Sequence, residues 1–91
     1  MKEHYKKEEI TEKLIDELED ELEGIISYDK LYNSLIAHKM HEEAEVIESI
    51  AGQEYKHACA LWDMLNEMDV DLSMHEKIQS DWDCVKKIFN I

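Results

Sequence analysis

The chain has 91 residues, no proline, only two glycines and a formal net charge of −13. That length bounds it to one small domain, the lack of helix breakers makes an all-α fold the expectation, and the excess of carboxylates argues against nucleic-acid binding, which needs a Lys/Arg stripe to displace counterions. Cys59 and Cys84 form no Cys-x-x-Cys pair for a rubredoxin-type iron site or a zinc finger. No apolar run nears the ~20 residues of a membrane span, and with no signal peptide the expected setting is a cytoplasm with reduced thiols. A core built from so short a chain is marginal, and oligomerisation commonly supplies the missing burial.

The opening MKEHYKKEE is charged and is expected to fray. A first helix is predicted over about 10–37: alternate steps of four and three from Leu14 visit Leu18, Glu21, Ile25, Tyr28, Tyr32 and Leu35, an apolar seam with one charged member. A second is predicted over about 42–69, with a seam of Ile47, Ile50, Glu54, His57, Leu61, Met64 and Met68. Extending the first seam forward lands on Lys39, Glu42, Ser49 and Gln53, so the register breaks and a tight turn is placed at about 38–42. No Gly or Pro marks that turn, and one long kinked helix is the alternative. The stretch SMHE reads as a capping box from Ser73 to Glu76, opening a third helix over 74–90 with Ile78, Trp82, Val85 and Phe89 on one face. The expected architecture is one domain, 1–91: an antiparallel helical hairpin plus a short C-terminal helix.

Glu21, Glu54 and His57 fall where the pattern demands burial. A buried, unpaired carboxylate costs several kcal/mol, so each must be neutralised, paired or bound to a cation. Glu54 and His57 are three apart and share one side of a helix. With a Glu from an antiparallel neighbour they offer two carboxylates and one imidazole, a donor set suited to iron or manganese. Counted from a turn near residue 40, Glu21 lies about 19 residues before it and Glu54 about 14 after, a mismatch of ~7–8 Å at 1.5 Å per residue. Helix-bundle di-iron sites take a Glu from each of two helices and a Glu-x-x-His from each of the other two. This chain holds half of that inventory. Two copies about a twofold axis would supply four Glu and two His for two metals about 3.5–4 Å apart, so a homodimer would complete both bundle and site.

The segments ELEGIISYDKLYNSL and EVIESIAGQEYKHACALWDML, covering about residues 15–68, resemble the ferritin-like superfamily in its rubrerythrin-like and encapsulated-ferritin branches. Those proteins carry Glu-x-x-Ala-x-x-x-Tyr on one helix and Glu-x-x-His on the next. Glu21, Tyr28, Glu54 and His57 match, while Gly24 stands where the family usually has Ala. Encapsulated ferritin is the branch most similar in length. The resemblance implies a ferritin-like four-helix bundle, a dimer-interface site for two Fe ions, oxidation of Fe(II) by dioxygen in iron storage or detoxification, and a ring-like higher assembly. It also implies iron access past acidic side chains, for which Glu17, Asp20 and Glu23 are placed, with Tyr28 beside the metals. An encapsulin-type shell, with the chain inside a nanocompartment, stays open beside a free-standing half-ferritin, although the ending DCVKKIFNI shows no tail or docking peptide of the kind cargo proteins carry.

Two other readings stay open: a rubrerythrin-like peroxide reductase and a non-catalytic acidic interaction protein. Of the remaining residues, His38 and His41 are expected to be ordinary exposed side chains at the turn. Tyr32, Trp62 and Trp82 are expected to pack, and Met40, Met64, Met68 and Met74 to fill core gaps. Gly24 and Gly52 cost their helices about 1 kcal/mol each relative to Ala, with close helix approach beside the ligands as the expected return.

Overall fold

The computed structural model describes residues 5–91. Three α-helices, α1 (Lys7–Ala37), α2 (His41–Glu67) and α3 (Glu76–Phe89), are joined by a reversal at 38–40 and by a connection containing one 3-10 turn, Leu72–Met74. There is no strand among the described residues. At 1.5 Å per residue α1 runs about 46 Å, close to the longest dimension of 49 Å. The hairpin therefore sets the length of the molecule, and the 14-residue α3 covers less than half of it.

The bounds differ from expectation mainly at helix starts. α1 begins at Lys7 rather than Ile10, with the Glu9 carboxylate accepting the Lys6 backbone N–H at 3.4 Å. Residues 1–4 of the opening segment lie outside the described residues. At α3 the expected Ser73–Glu76 capping box is absent. Asp71 accepts both the backbone N–H and the hydroxyl of Ser73, which ties Ser73 into the 3-10 turn. His75 becomes the N-cap, without a side-chain cap bond. The carboxylate two residues upstream takes the Ser73 N–H that Glu76 would accept in a capping box, and turns the Ser73 hydroxyl toward itself as a donor.

The reversal forms where the register breaks, without Gly or Pro. Lys39 adopts a left-handed φ of 61°. Its N–H donates to Ile36 O at 3.0 Å, and the Met40 N–H donates to Leu35 O at 2.8 Å. This is a Schellman closure, usually built on Gly. The same pair of bonds ends α2 through Asp69 (φ 62°) and Val70, and α3 through Asn90 (φ 58°) and Ile91.

Packing follows rows spaced by seven residues. On α2 the inner row is Ala44, Ala51, Ala58 and Leu65, at most 8% exposed, and it faces Leu18, Leu22 and Ile25 of α1, which are fully buried. Small side chains here let the two backbones approach. The seam of Ile47 to Met68 read from the sequence is therefore not the centre of the hairpin interface but its flank. The middle row Ile47, Glu54, Leu61 and Met68 is half-buried, while His57 and Met64 of the next row are exposed. α1 mirrors this, with Leu14, Glu21, Tyr28 and Leu35 half-buried and Glu17 and Leu31 beyond them exposed.

α3 lies against the other side of the hairpin. Ile78 and Val85 are fully buried. Trp82 stacks on Trp62 with ring centroids 4.7 Å apart, and Tyr55 packs on Phe89 at 4.6 Å. Lys77 reaches across to Glu23 at 2.6 Å and to Asp81 at 2.8 Å, and these carboxylates hold its ammonium well above the usual lysine value. The expected packing roles of Trp62 and Trp82 hold. The methionines are not core filler: Met40, Met64 and Met74 are exposed, and Met68 is half-buried on the flank.

Candidate metal centre

On the flank opposite α3, the two middle rows bring Glu21 and Glu54 side by side. Glu21 lies sixteen residues before the end of α1 and Glu54 thirteen after the start of α2. The depths therefore differ by three residues, about 4.5 Å of rise, closer than the sequence count gave. His57, one turn beyond Glu54, completes the group. Each of the three offers one ligand-type atom, and these atoms all lie within 4.8 Å of one another.

Within the group His57 Nδ1 is 3.7 Å from Glu21 Oε1, too long for a hydrogen bond. Glu21 Oε2 is buried without any hydrogen-bond partner. A buried carboxylate oxygen left unsatisfied is costly and calls for a proton or a cation. The donor set thus fits a metal, two hard oxygens and one imidazole being suited to a divalent first-row ion. His57 departs from expectation, because its side chain is 64% exposed while that of Glu21 is 20% exposed. The three side chains sit on a slope that runs from the hairpin interior to solvent, and none of the described residues covers its upper end.

Beside Glu21 and Glu54 a concavity of about 390 Å³ opens to solvent, lined also by Asp20, Gly24, Ser27 and Tyr28. Of the residues placed for iron access, Asp20 is on its wall. Glu17 is exposed one turn away, and Glu23 points to the other side, paired with Lys77. Glu23 is therefore committed to holding α3. Tyr28 also borders a second cavity of about 130 Å³ under the end of α3, shared with Tyr32, Ala51 and Phe89. Ser27 escaped the sequence reading; its position seven residues after Asp20 was the available signal.

The glycines do not serve close helix approach within the chain. A methyl group on either Gly24 or Gly52 would meet no atom within 4 Å, and Gly52 does not border the concavity. His38 and His41 are exposed at the reversal, as expected. Cys59 is half-buried and Cys84 exposed, both as free thiols. Tyr55, one residue from Glu54, has its phenol pushed above the ordinary value by a hydrogen bond with Cys59 and by burial. No helix is long and apolar enough to cross a membrane, among the described residues. No family model matches the chain, and no curated protein or solved structure matches it either.

Proposed function

We propose that the chain is half of a ferritin-like di-iron site, completed when two copies pair across the flank that carries Glu21, Glu54 and His57, and that it oxidises Fe(II). One observation carries the reading. Three side chains of metal-ligating type from two antiparallel helices converge beside an unpartnered buried carboxylate oxygen, on a surface that the described residues leave uncovered. Exposed or half-buried apolar residues continue that surface on either side, Leu31 on α1 and Ile47, Ile50, Leu61 and Met64 on α2. A second copy would cover them, and two copies would bring four carboxylates to balance two divalent cations.

Fe(II) is the substrate in this reading. Two Fe(II) ions each give one electron to dioxygen, which takes up two protons and leaves as hydrogen peroxide. The chain's part is to gather and orient. Glu21 and Glu54 supply the negative charge, neutral His57 supplies a nitrogen donor, and the apolar rows on either side exclude water once covered.

Aerobic Fe(II) titration, followed by ferric-oxo absorbance and by mass measurement of the assembly, tests this. Saturation near one iron per chain in a dimer or a multiple of it is expected, with loss in Glu54→Ala and His57→Ala. Absence of saturation, or variants that behave as the parent, would overturn it. Replacing dioxygen by hydrogen peroxide in the same titration separates a ferroxidase from a peroxide reductase. Assembly that ignores metal and tolerates alanine at Glu21, Glu54 and His57 alike would point instead to an interaction protein.

A further inference from the structure

Gly24 sits near the middle of a 31-residue helix, where alanine would be the more favourable residue. The usual reasons for glycine in such a place do not apply. Its φ is not positive, no neighbouring atom lies where a Cβ would go, and α1 continues through it without a break. What an absent side chain does provide is space, and the space is at the candidate centre. Gly24 borders the concavity beside Glu21 and Glu54, between Asp20 and Ser27 on the same face of α1. Burial grades across that wall: Asp20 and Ser27 are exposed, while Gly24, Tyr28, Glu21 and Glu54 are half-buried.

The volume suits a hydrated cation. The concavity of about 390 Å³ has room for several waters and opens to solvent, so an ion can enter it while it still carries water. Divalent first-row ions bring tightly held water, which must be exchanged for protein oxygens. An ion held against Asp20 and the Ser27 hydroxyl could trade waters one at a time for Glu21 and Glu54. We infer that Gly24 is the floor of a vestibule that receives a hydrated divalent cation before it reaches the ligands, and that its missing side chain sets the rate of loading. This rests on the metal-binding reading above. It goes beyond that reading in assigning a residue that offers no ligand atom.

Stopped-flow uptake of Co(II), read by its visible d–d absorption in the full-length protein, tests the assignment without using iron oxidation. Gly24→Ala and Gly24→Leu are compared with the parent, alongside thermal midpoint, Co(II) stoichiometry and assembly mass. The expected signature is a pair of opposite trends. Thermal stability holds or rises through both variants, because the helix gains propensity and the added Cβ meets no atom within 4 Å. Uptake slows with side-chain size, by about fivefold or more for leucine, at unchanged stoichiometry and mass. Uptake by Gly24→Leu at the parental rate would overturn the inference while leaving the metal site intact. A change of assembly mass in either variant would also overturn it, showing that Gly24 makes room for another helix. If the parent itself takes up no Co(II) that depends on Glu54 and His57, the metal-site reading fails and the vestibule with it.

Discussion

The two long sides of the α1–α2 hairpin make a controlled comparison, because the same helices contribute to both. On one side α3 covers the hairpin, with Trp82 on Trp62, Phe89 on Tyr55 and Lys77 tied to Glu23. On the other side the rows through Glu21, Glu54 and His57 meet α3 only at the end nearest the reversal, where Tyr28 and Ile47 border the cavity beside Ile88 and Phe89, and the apolar residues among them remain half-buried or exposed. The covered side has its polar group, Glu23, answered by a lysine. The uncovered side leaves Glu21 Oε2 unanswered. One side is covered by α3 and its exposed carboxylate is paired with Lys77, while the other, among the described residues, leaves a carboxylate oxygen unpaired.

The comparison breaks most visibly if α3 is undermined. Ile78→Ala removes a fully buried side chain and is expected to cost about 2–5 kcal/mol, measured by urea unfolding. Met64→Ala, at a 45% exposed position on the other side, should change monomer stability by no more than about 0.5 kcal/mol while shifting the assembly equilibrium seen by sedimentation. Equal effects on folding would erase the distinction between the two sides.

Next in size is the unpartnered carboxylate. Glu21→Met should stabilise the metal-free chain by about 1–3 kcal/mol, the cost of an unsatisfied buried acceptor, and abolish cation uptake. A destabilised variant would mean that Glu21 is satisfied without a metal. The smallest effect concerns the α2–α3 connection that positions the cover. The Ser73 hydroxyl and N–H hold the Asp71 carboxyl below its ordinary value, so its stabilisation is complete above an ordinary carboxylate pKa of about 4 and is lost as pH falls through the lower folded-state value. Unfolding midpoints of the parent and Asp71→Ala should differ at neutral pH and converge on acidification. A difference that persists in acid would rule out the ionised Asp71 as its source.

Much of this was legible in the chain. Period-seven apolar spacing located all three helices, the break in that spacing located the reversal, and the polar interruptions singled out Glu21, Glu54 and His57. The orientation of α2 was not legible, because its inner row is mostly alanine. A seam of large residues looks stronger than Ala44, Ala51 and Ala58, yet small residues are what let two helices meet closely, and they turned the large ones onto the flank. The same rotation left His57 exposed and moved Met64 and Met68 out of the core. The start of α3 shifted for a different reason. Asp71 holds Ser73 through local hydrogen bonds and leaves His75 as the N-cap.

Those helix ends carry a kinetic consequence. A left-handed lysine costs roughly 1–2 kcal/mol, and a chain that ran straight through residue 39 as one continuous rod would not bear it. The Lys39 reversal has two closing hydrogen bonds of its own, and what α1 and α2 bury against each other offsets the rest of its cost. A rod could bury the same rows against a second rod, each α2 docking on the other molecule's α1, and residue 39 would then be the hinge of that exchange. Concentration during refolding, more than the final contacts, would then decide how much protein closes on itself and how much trades halves with its neighbour.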